Sequence, residues 1–332
     1  MESISLRSIT VLLNYELMIS DPRFKDTELI ISSFADPQES ETFKTLNPKF
    51  VKDQPESVRQ LNLHLFEKLA EPSAVEHPST IVDLHPNAEP LSGNLTFAQR
   101  ELIFLESRNH SGCFKAAGMY QMFFKLCNPD HKLLIRIKDE EPLLVDFNAC
   151  EFLKINMHNP KLHTLSSVRG TPGYTAATGG MNDEQHIVMI IPHPTMPREG
   201  FVVDMTRMQY GEAARGPYGE NYFLGTDAEF LMSLKEICDG PKDMVKAMIT
   251  EGEVGTVEAY ERVLRLENCA KRAFERWQNR EKQGWCEHCG KGGKLMKCGA
   301  CKTKAVWYCC KEHQKAGWKL HKWTCEKPKV EK

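Results

Sequence analysis

The sequence of 332 residues contains no long hydrophobic run. None of its apolar stretches approaches the ~18 residues that a membrane-spanning helix needs. The first residues include the acidic Glu2 and only a short apolar run, so they lack the pattern of a secretory signal peptide. We therefore expect no membrane partner, and by elimination we expect the protein in the cytosol, the nucleus or both.

Cysteine is scarce over residues 1–280, which hold only five of the 12 cysteines. These five lack the close, paired spacing of a disulfide framework, which argues for a reducing compartment. We therefore predict that they are free thiols. They are Cys113, Cys127, Cys150, Cys238 and Cys269.

Arginine and aspartate are absent from residue 281 onwards, where 13 lysines accompany 5 glutamates. A basic segment attached to an acidic remainder could bind nucleic acid. This segment nevertheless shows neither the interleaved aromatic residues nor the recognition helix typical of such proteins. We interpret the lysines as solubilising a small module and offsetting its thiolates, and we expect no nucleic-acid partner.

The cysteines and histidines of residues 286–325 form four close pairs. A spacing of two residues lets one tight turn direct both side chains to one metal, and a spacing of three places both on one face of a helical turn. Eight such ligands suffice for two tetrahedral zinc ions. In chain order the pairs are Cys286 and Cys289, Cys298 and Cys301, Cys309 and His313, and His321 and Cys325.

This ligand order resembles the MYND-type zinc finger, and the run from Cys309 to His321 is similar to the terminal helix of that family. The resemblance implies a small cross-braced finger in which the first and third pairs share one zinc ion and the second and fourth pairs share the other. The family usually has cysteine where this chain has His313. Histidine is an equally good zinc ligand, and the alternative, Cys310, would disturb the spacing.

The MYND resemblance also implies a function, because fingers of this family bind short proline-rich peptides on their terminal helices. The matching positions are Gln314 and Trp318, four residues apart on the predicted helix, and a tryptophan face suits proline rings. Two fully ligated zinc ions leave no open position for a metal-bound water, so we expect no hydrolytic zinc chemistry. We expect His288, inside the first pair, to be exposed and not a ligand.

The remainder of the chain mixes helical and strand patterns, which predicts an α+β body. Val58, Leu61, Leu65 and Leu69 recur at three- and four-residue steps after Pro55, which favours a helix there. Further helices are predicted over residues 96–107, from residue 113 onwards and over residues 257–278. Strands are predicted over residues 133–137, 142–147, 186–191 and 201–205, and a loop over residues 169–180.

These patterns divide the chain into four predicted parts. They are a helical and irregular N-terminal region (1–94), the α+β body (95–255), a linking helix (256–284) and the zinc finger (285–326).

Three residues of the body suggest an enzyme. Cys113 begins a predicted helix, whose N-terminal N–H groups and dipole favour a thiolate. If the strands of His186 and Asp204 form a hairpin centred on Thr195, the two residues face each other with Cβ atoms ~5 Å apart, and the carboxylate could orient the imidazole. Each residue also has a purely structural interpretation. Cys113 could be a small buried hydrophobic residue, His186 an imidazole of the core, and Asp204 an acid in a turn or at the end of a strand.

The order Cys, His and Asp resembles the transglutaminase-like and papain-like fold over about residues 108–211, and the run from Asp204 to Gly211 is similar to a segment of such proteins. This resemblance implies Cys113 as nucleophile, His186 as general base and Asp204 as the residue that orients it. The sequence therefore supports two functional hypotheses. In the first, the protein binds zinc and its finger mediates protein–protein interaction with proline-rich segments. In the alternative, the protein is a thiol acyltransferase or hydrolase whose finger recruits a partner.

Overall fold

The computed structural model describes residues 2–35, 56–71, 75–88, 94–137, 140–196, 199–247, 257–303 and 305–326. Over these residues the chain forms a mixed α+β body followed by the C-terminal finger, which confirms the predicted fold class at that level. No helix in the described parts of the chain is long and apolar enough to cross a membrane.

Six α-helices occur in the described residues, and sequence signals explain where several begin. Thr96 caps its helix through a capping box with Gln99, and Thr226 forms the same motif with Glu229. The helices are α1 (Leu6–Ile19), α2 (Phe97–Asn109), α3 (Cys113–Leu126), α4 (Asp227–Ile237), α5 (Val257–Gln278) and α6 (Lys311–His321).

Fourteen strands occur in the same residues. They are β1 (Ser3–Ser5), β2 (Thr27–Ala35), β3 (Gln60–Lys68), β4 (Lys132–Ile135), β5 (Leu143–Val145), β6 (Glu151–His158), β7 (Leu162–Arg169), β8 (Tyr174–Thr178), β9 (Asp183–Pro192), β10 (Gly200–Asp204), β11 (Phe223–Thr226), β12 (Gly240–Ala247), β13 (Met296–Lys297) and β14 (Trp307–Tyr308).

A five-stranded antiparallel sheet with the order β11-β10-β9-β6-β12 forms the centre of the body. Successive side chains of a strand point to opposite faces. In β9, Ile187 and Met189 therefore join the core cluster that contains α1, α3 and α5, whereas Val188 packs in the cluster that contains α4. Helices thus cover this sheet on both faces.

Two smaller sheets complete the body. One has the order β2-β3-β7-β8, with β3 and β7 parallel and the other pairs antiparallel, and the other has the order β1-β4-β5. Helix α2 packs against the four-stranded sheet, where Ile103 and Phe104 share a cluster with Phe66 and Val168. This packing fixes the position of α2, which leads directly into Cys113.

The prediction of a helix around residues 58–69 was wrong, because Gln60–Lys68 is strand β3. Leu61, Leu63 and Leu65 alternate along it, and they are all buried between β2 and β7. The apolar residues therefore satisfy a strand period as well as a helical one, and the sheet neighbours decide between them. Pro55 lies outside the described residues.

The prediction of a loop over residues 169–180 was wrong in part. Tyr174–Thr178 is strand β8, which pairs with β7. Its Tyr and Thr residues favour a strand, but the neighbouring glycines obscured the pattern. The helices predicted over residues 96–107, from residue 113 and over residues 257–278 are confirmed as α2, α3 and α5, and the four predicted strands are confirmed as β4, β5, β9 and β10.

The finger packs against the body at the end of helix α5. Arg276 of α5 donates a hydrogen bond from Nη2 to the backbone oxygen of Gly290 in the finger at 2.5 Å, and its guanidinium lies 5.2 Å from the ring centre of Tyr15 in α1. Helix α5 thus contacts the body and the finger with one side chain. The predicted linking helix therefore packs against both the body and the finger.

Candidate functional site

The first ligand cluster of the finger is formed by the first and third pairs of the sequence. The ligand atoms of Cys286, Cys289, Cys309 and His313 all lie within 4.8 Å of one another. Cys286 pairs with Trp307 in an isolated bridge, and Cys309 follows strand β14 directly. The turn after Cys286 and the first turn of α6 therefore bring the two pairs together.

The second cluster is formed by the second and fourth pairs. The ligand atoms of Cys298, Cys301, His321 and Cys325 also lie within 4.8 Å of one another. His321 is the last residue of α6, and Cys325 follows it by four positions. Helix α6 thus supplies one histidine to each cluster, which gives the cross-braced arrangement.

The spacing of the ligand atoms fits zinc. Zn–S bonds of about 2.3 Å and Zn–N bonds of about 2.0–2.1 Å in a tetrahedron separate the ligand atoms by roughly 3.5–3.8 Å. In the first cluster the Sγ atoms of Cys289 and Cys309 are 3.8 Å apart, and Cys286 Sγ is 3.6 Å from His313 Nδ1. In the second, Cys301 Sγ is 3.4 Å from His321 Nε2 and 3.9 Å from Cys325 Sγ.

Close approach of the thiols shifts their ionisation in opposite directions. Burial raises thiol pKa values, but contacts with Cys289, Cys309 and His313 outweigh it and hold the pKa of Cys286 well below its usual range. Burial and the neighbouring sulfur atoms raise the pKa of Cys289. A bound zinc ion replaces the protons that such clustered thiols would otherwise share.

His313, and not Cys310, completes the first cluster. The Sγ of Cys310 accepts a hydrogen bond from the backbone N–H of His313 at 3.4 Å, so this side chain caps the N-terminus of α6. This contact gives Cys310 a role at the helix N-terminus outside the first cluster.

The family model that describes the MYND finger matches residues 286–325, the same residues that carry both clusters. Residues 286–325 are a MYND finger. Its two Cys/His sites fit two Zn²⁺ ions, and MYND fingers are protein-interaction modules. The predicted zinc sites and the predicted class of finger are therefore confirmed.

Two curated proteins match a short part of the chain. Over 42 residues it is 50% identical to Egl nine homolog 1 of Mus musculus and 48% identical to Egl nine homolog 1 of Homo sapiens. The match covers 13% of this chain and 10% and 9% of those proteins, so the chain spans about a tenth of the length of these relatives. No solved structure matches the chain, so the transglutaminase or papain resemblance gains no support from that comparison.

The prediction that His288 is exposed was wrong. His288 is 5% exposed, and its ring lies against the ring of His313, with the two ring centroids 4.7 Å apart. Its Nε2 is 3.1 Å from Oε1 of Glu101 in helix α2 of the body. The sequence gives no signal for this contact, because Glu101 precedes His288 by 187 residues.

The two predicted peptide-binding residues, Gln314 and Trp318, lie one turn apart on α6. Trp318 is 42% exposed, and Gln314 is partly buried. Other residues of the helix face the interior of the finger. His313 and His321 belong to the two ligand clusters, and a Cβ at Gly317 would stand 2.7 Å from the ring of Tyr308. Peptide binding by Gln314 and Trp318 stays a prediction.

The structure also brings Cys113, His186 and Asp204 together. His186 Nε2 is 2.7 Å from Asp204 Oδ2, and the Cys113 side chain contacts the same imidazole. Gln209, which sequence reasoning missed as a member of the group, places its Nε2 3.3 Å from His186 Nδ1. Cys113, His186 and Asp204 are 4%, 0% and 1% exposed. A catalytic role for the three stays a prediction.

The predicted register of the hairpin was wrong by one position at its centre. Val203 pairs with Met189, so Asp204 lies opposite Val188, whereas His186 is two residues further along β9. The His186 and Asp204 side chains therefore meet diagonally across the ladder, a separation that polar side chains can bridge.

The ionisation of His186 follows from its neighbours. Burial disfavours the charged imidazole, but the carboxylate of Asp204 outweighs burial and raises the pKa of His186 to about 10. The imidazole is therefore protonated at neutral pH.

Unsatisfied polar atoms gather before helix α3. Among the described residues, both side-chain polar atoms of Asn109, Oδ1 of Asp204 and Oγ1 of Thr206 are buried without a hydrogen-bond partner. Thr206 is close to Gly112, where a Cβ would stand 2.8 Å from Thr206 Cγ2, and Ser111 has a φ of 50°. Orphaned polar atoms and left-handed residues are more common at functional sites than in ordinary cores.

Proposed function

We propose that the exposed side of helix α6 binds a proline-rich segment of a partner protein. The observation that carries the proposal is the position of Trp318, a large apolar ring that is 42% exposed on a helix that supplies a histidine to each of the two Cys/His clusters. The zinc sites hold this helix rigid, so its surface is formed before a ligand arrives, and little ordering entropy is lost on binding.

A proline-rich ligand suits this surface for two physical reasons. Such segments already adopt the polyproline II conformation, so they lose little entropy on binding, and their rings stack on flat aromatic faces. Gln314, one turn before Trp318, adds an amide that can bond the exposed backbone carbonyls of such a segment. The ring and the amide together favour an extended proline-containing chain.

The test uses the full-length, zinc-loaded protein and a panel of fluorescent synthetic peptides that contain spaced prolines. We expect at least one peptide to bind, Trp318→Ala to weaken its binding ten-fold or more, and Gln314→Ala to weaken it less. Met296→Ala removes another exposed apolar side chain of the finger and serves as the matched control. Absence of binding by every peptide, or equal binding by Trp318→Ala, would contradict the proposal.

We propose thiol catalysis by Cys113 as a second function, because the His186–Asp204 pair at 2.7 Å and the Cys113 contact form a connected group. In this reaction the Cys113 thiolate attacks the carbonyl carbon of an ester or amide and forms a C–S bond. The proton on His186 goes to the leaving oxygen or nitrogen. Water or an amine then attacks the thioester, returns a proton to His186 and releases the thiolate.

Peptide-resolved mass spectrometry tests this second function in the full-length, zinc-loaded protein. We expect iodoacetamide to alkylate Cys113 at pH 7 at least ten-fold faster than Cys127, whose thiol pKa burial raises to about 12. The variant His186→Gln is expected to abolish the difference, with Cys127 as internal reference. Equal rates for the two cysteines in the unchanged protein would rule out an activated thiol.

A further inference from the structure

A carboxylate of the body, that of Glu101 in helix α2, contacts two histidines of the finger. Its Oε1 lies 3.1 Å from His288 Nε2 and 2.9 Å from His313 Nε2, although the N–H of His313 does not point straight at it. His313 meanwhile directs Nδ1 towards the sulfur of Cys309, at 3.0 Å. The two nitrogens of one imidazole therefore serve two partners, the first metal cluster and the body.

Body residues hold Glu101 in place. The residue is 4% exposed, Arg215 Nη2 lies 3.3 Å from its Oε2, and Asn221 Nδ2 donates to its Oε1 at 3.3 Å. Arg215 also contacts Asn221 through its guanidinium. The carboxylate is therefore positioned by the body and not by the finger that it contacts.

The carboxylate of Glu101 has a different relation to each histidine. His288 Nε2 is 3.1 Å from Oε1 in a hydrogen bond, whereas His313 Nε2 is 2.9 Å from the same oxygen in an ion-pair contact without hydrogen-bond alignment. The same three side chains also have the spacing of a metal site. The experiment below therefore counts zinc ions to distinguish the two arrangements.

We propose that Glu101 is the outer-sphere partner of the first zinc centre and that it couples zinc binding by the finger to the folded body. A carboxylate that accepts from the second nitrogen of a zinc-bound histidine fixes the ring and makes it a stronger ligand. Glu101 is placed for this role, because its Oε1 lies 2.9 Å from His313 Nε2 and it approaches from helix α2, which belongs to the body.

This role explains why histidine serves at position 313. A cysteine there would place a thiolate with no second donor beside the buried carboxylate of Glu101, and the two negative charges would repel each other. Histidine instead binds metal through Nδ1 and faces Glu101 through Nε2. His313 and Glu101 therefore form a matched pair across the interface between finger and body.

The first experiment measures zinc release from full-length protein to a chromogenic chelator, with zinc content determined before and after. We expect the unchanged protein to contain two zinc ions and Glu101→Ala to release one of them 10–100-fold faster. Glu101→Gln keeps the side-chain shape and one acceptor oxygen, so we expect a smaller acceleration. Glu106→Gln is the matched control, because Glu106 is buried on the same helix and accepts from His64 at 2.7 Å.

A double-mutant comparison separates coupling through His313 from a general loss of stability. In the His313→Cys background, we expect Glu101→Ala to leave the rate of zinc release unchanged or to slow it, because the carboxylate there faces a thiolate. Acceleration that persists in that background, equal acceleration of both zinc ions, or equal acceleration by Glu106→Gln would overturn the proposal. A third zinc ion that is lost from Glu101→Gln would also overturn it, in favour of a metal site at Glu101 and His288.

Discussion

Gly290 of the finger lies directly against Tyr15 of helix α1. A Cβ at Gly290 would stand 2.6 Å from the Cβ of Tyr15 and 2.6 Å from the backbone oxygen of Val11. Gly290 also has a φ of +81°, a left-handed conformation that other residues rarely adopt. The interface between finger and body thus requires the absence of a side chain at this position.

We predict that Gly290→Ala destabilises the protein by about 2–4 kcal/mol, because the left-handed conformation costs about 1 kcal/mol and the clash with Tyr15 and Val11 adds to it. The measurement is urea unfolding of the zinc-loaded protein. Gly299→Ala is the control, since Gly299 is in the same finger and a Cβ there meets nothing within 4 Å. Equal stability of the two variants would contradict the packing of the finger on α1.

We predict that Glu16→Ala weakens the contact between α1 and α5. Glu16 is 3% exposed, and Arg272 and Arg276 of α5 approach its carboxylate at 2.7 and 3.1 Å. Removal of one partner of a buried ion pair costs about 3–5 kcal/mol, and partial exposure of Arg272 reduces that figure to about 2–3 kcal/mol. Chemical unfolding should show this loss, whereas Glu151→Ala, at an exposed ion pair, should lose less than about 1 kcal/mol.

The metal ligands could be predicted from the sequence because their information is local. Two residues between Cys286 and Cys289 already bring both sulfur atoms to one turn, whatever the rest of the chain does. Glu101 and His288 could not be predicted, because only the packing of the body against the finger brings them together. The error at Leu61 has the same origin, since its sheet neighbours are residues 35 and 163.

The group formed by Cys113, His186 and Asp204 could be predicted from the sequence in part. The order of Cys113, His186 and Asp204 along the chain and the hairpin were predictable from helix and strand patterns, and the structure places the three side chains together. The register was not predictable, because the loop length sets it and the loop carries no strong turn signal. Gln209 belongs to the run from Asp204 to Gly211, but its contact with His186 was not predictable, because it lies in a short 3-10 helix after the strand.

We predict that single ligand substitutions remove one zinc ion each. His321→Ala removes a ligand of the second cluster, so zinc content should fall from two ions to about one, because three ligands hold the metal far more weakly. Cys310→Ser should retain both ions, because Cys310 caps α6 and serine is a good N-cap residue. Elemental analysis of the purified variants measures both. Loss of a zinc ion from Cys310→Ser would mean that its sulfur ligates metal.

The stability of the body should depend on pH through His186. The pKa of His186 is raised to about 10 in the folded protein by Asp204, against an ordinary value of about 6.5 in the unfolded chain. The folded state therefore binds the proton more tightly. The resulting stabilisation is fully present below about pH 6.5 and is lost as the pH rises towards 10.

Each pKa unit corresponds to about 1.4 kcal/mol, so we expect the unchanged protein to lose a few kcal/mol of unfolding free energy between pH 6.5 and 10. Asp204→Asn removes the carboxylate that raises the pKa of His186, so its unfolding free energy should vary much less over that range. Asp183→Asn, at the exposed pair with His158, is the control and should follow the unchanged protein. Parallel pH profiles for the unchanged protein and Asp204→Asn would show that His186 is not held in its charged form.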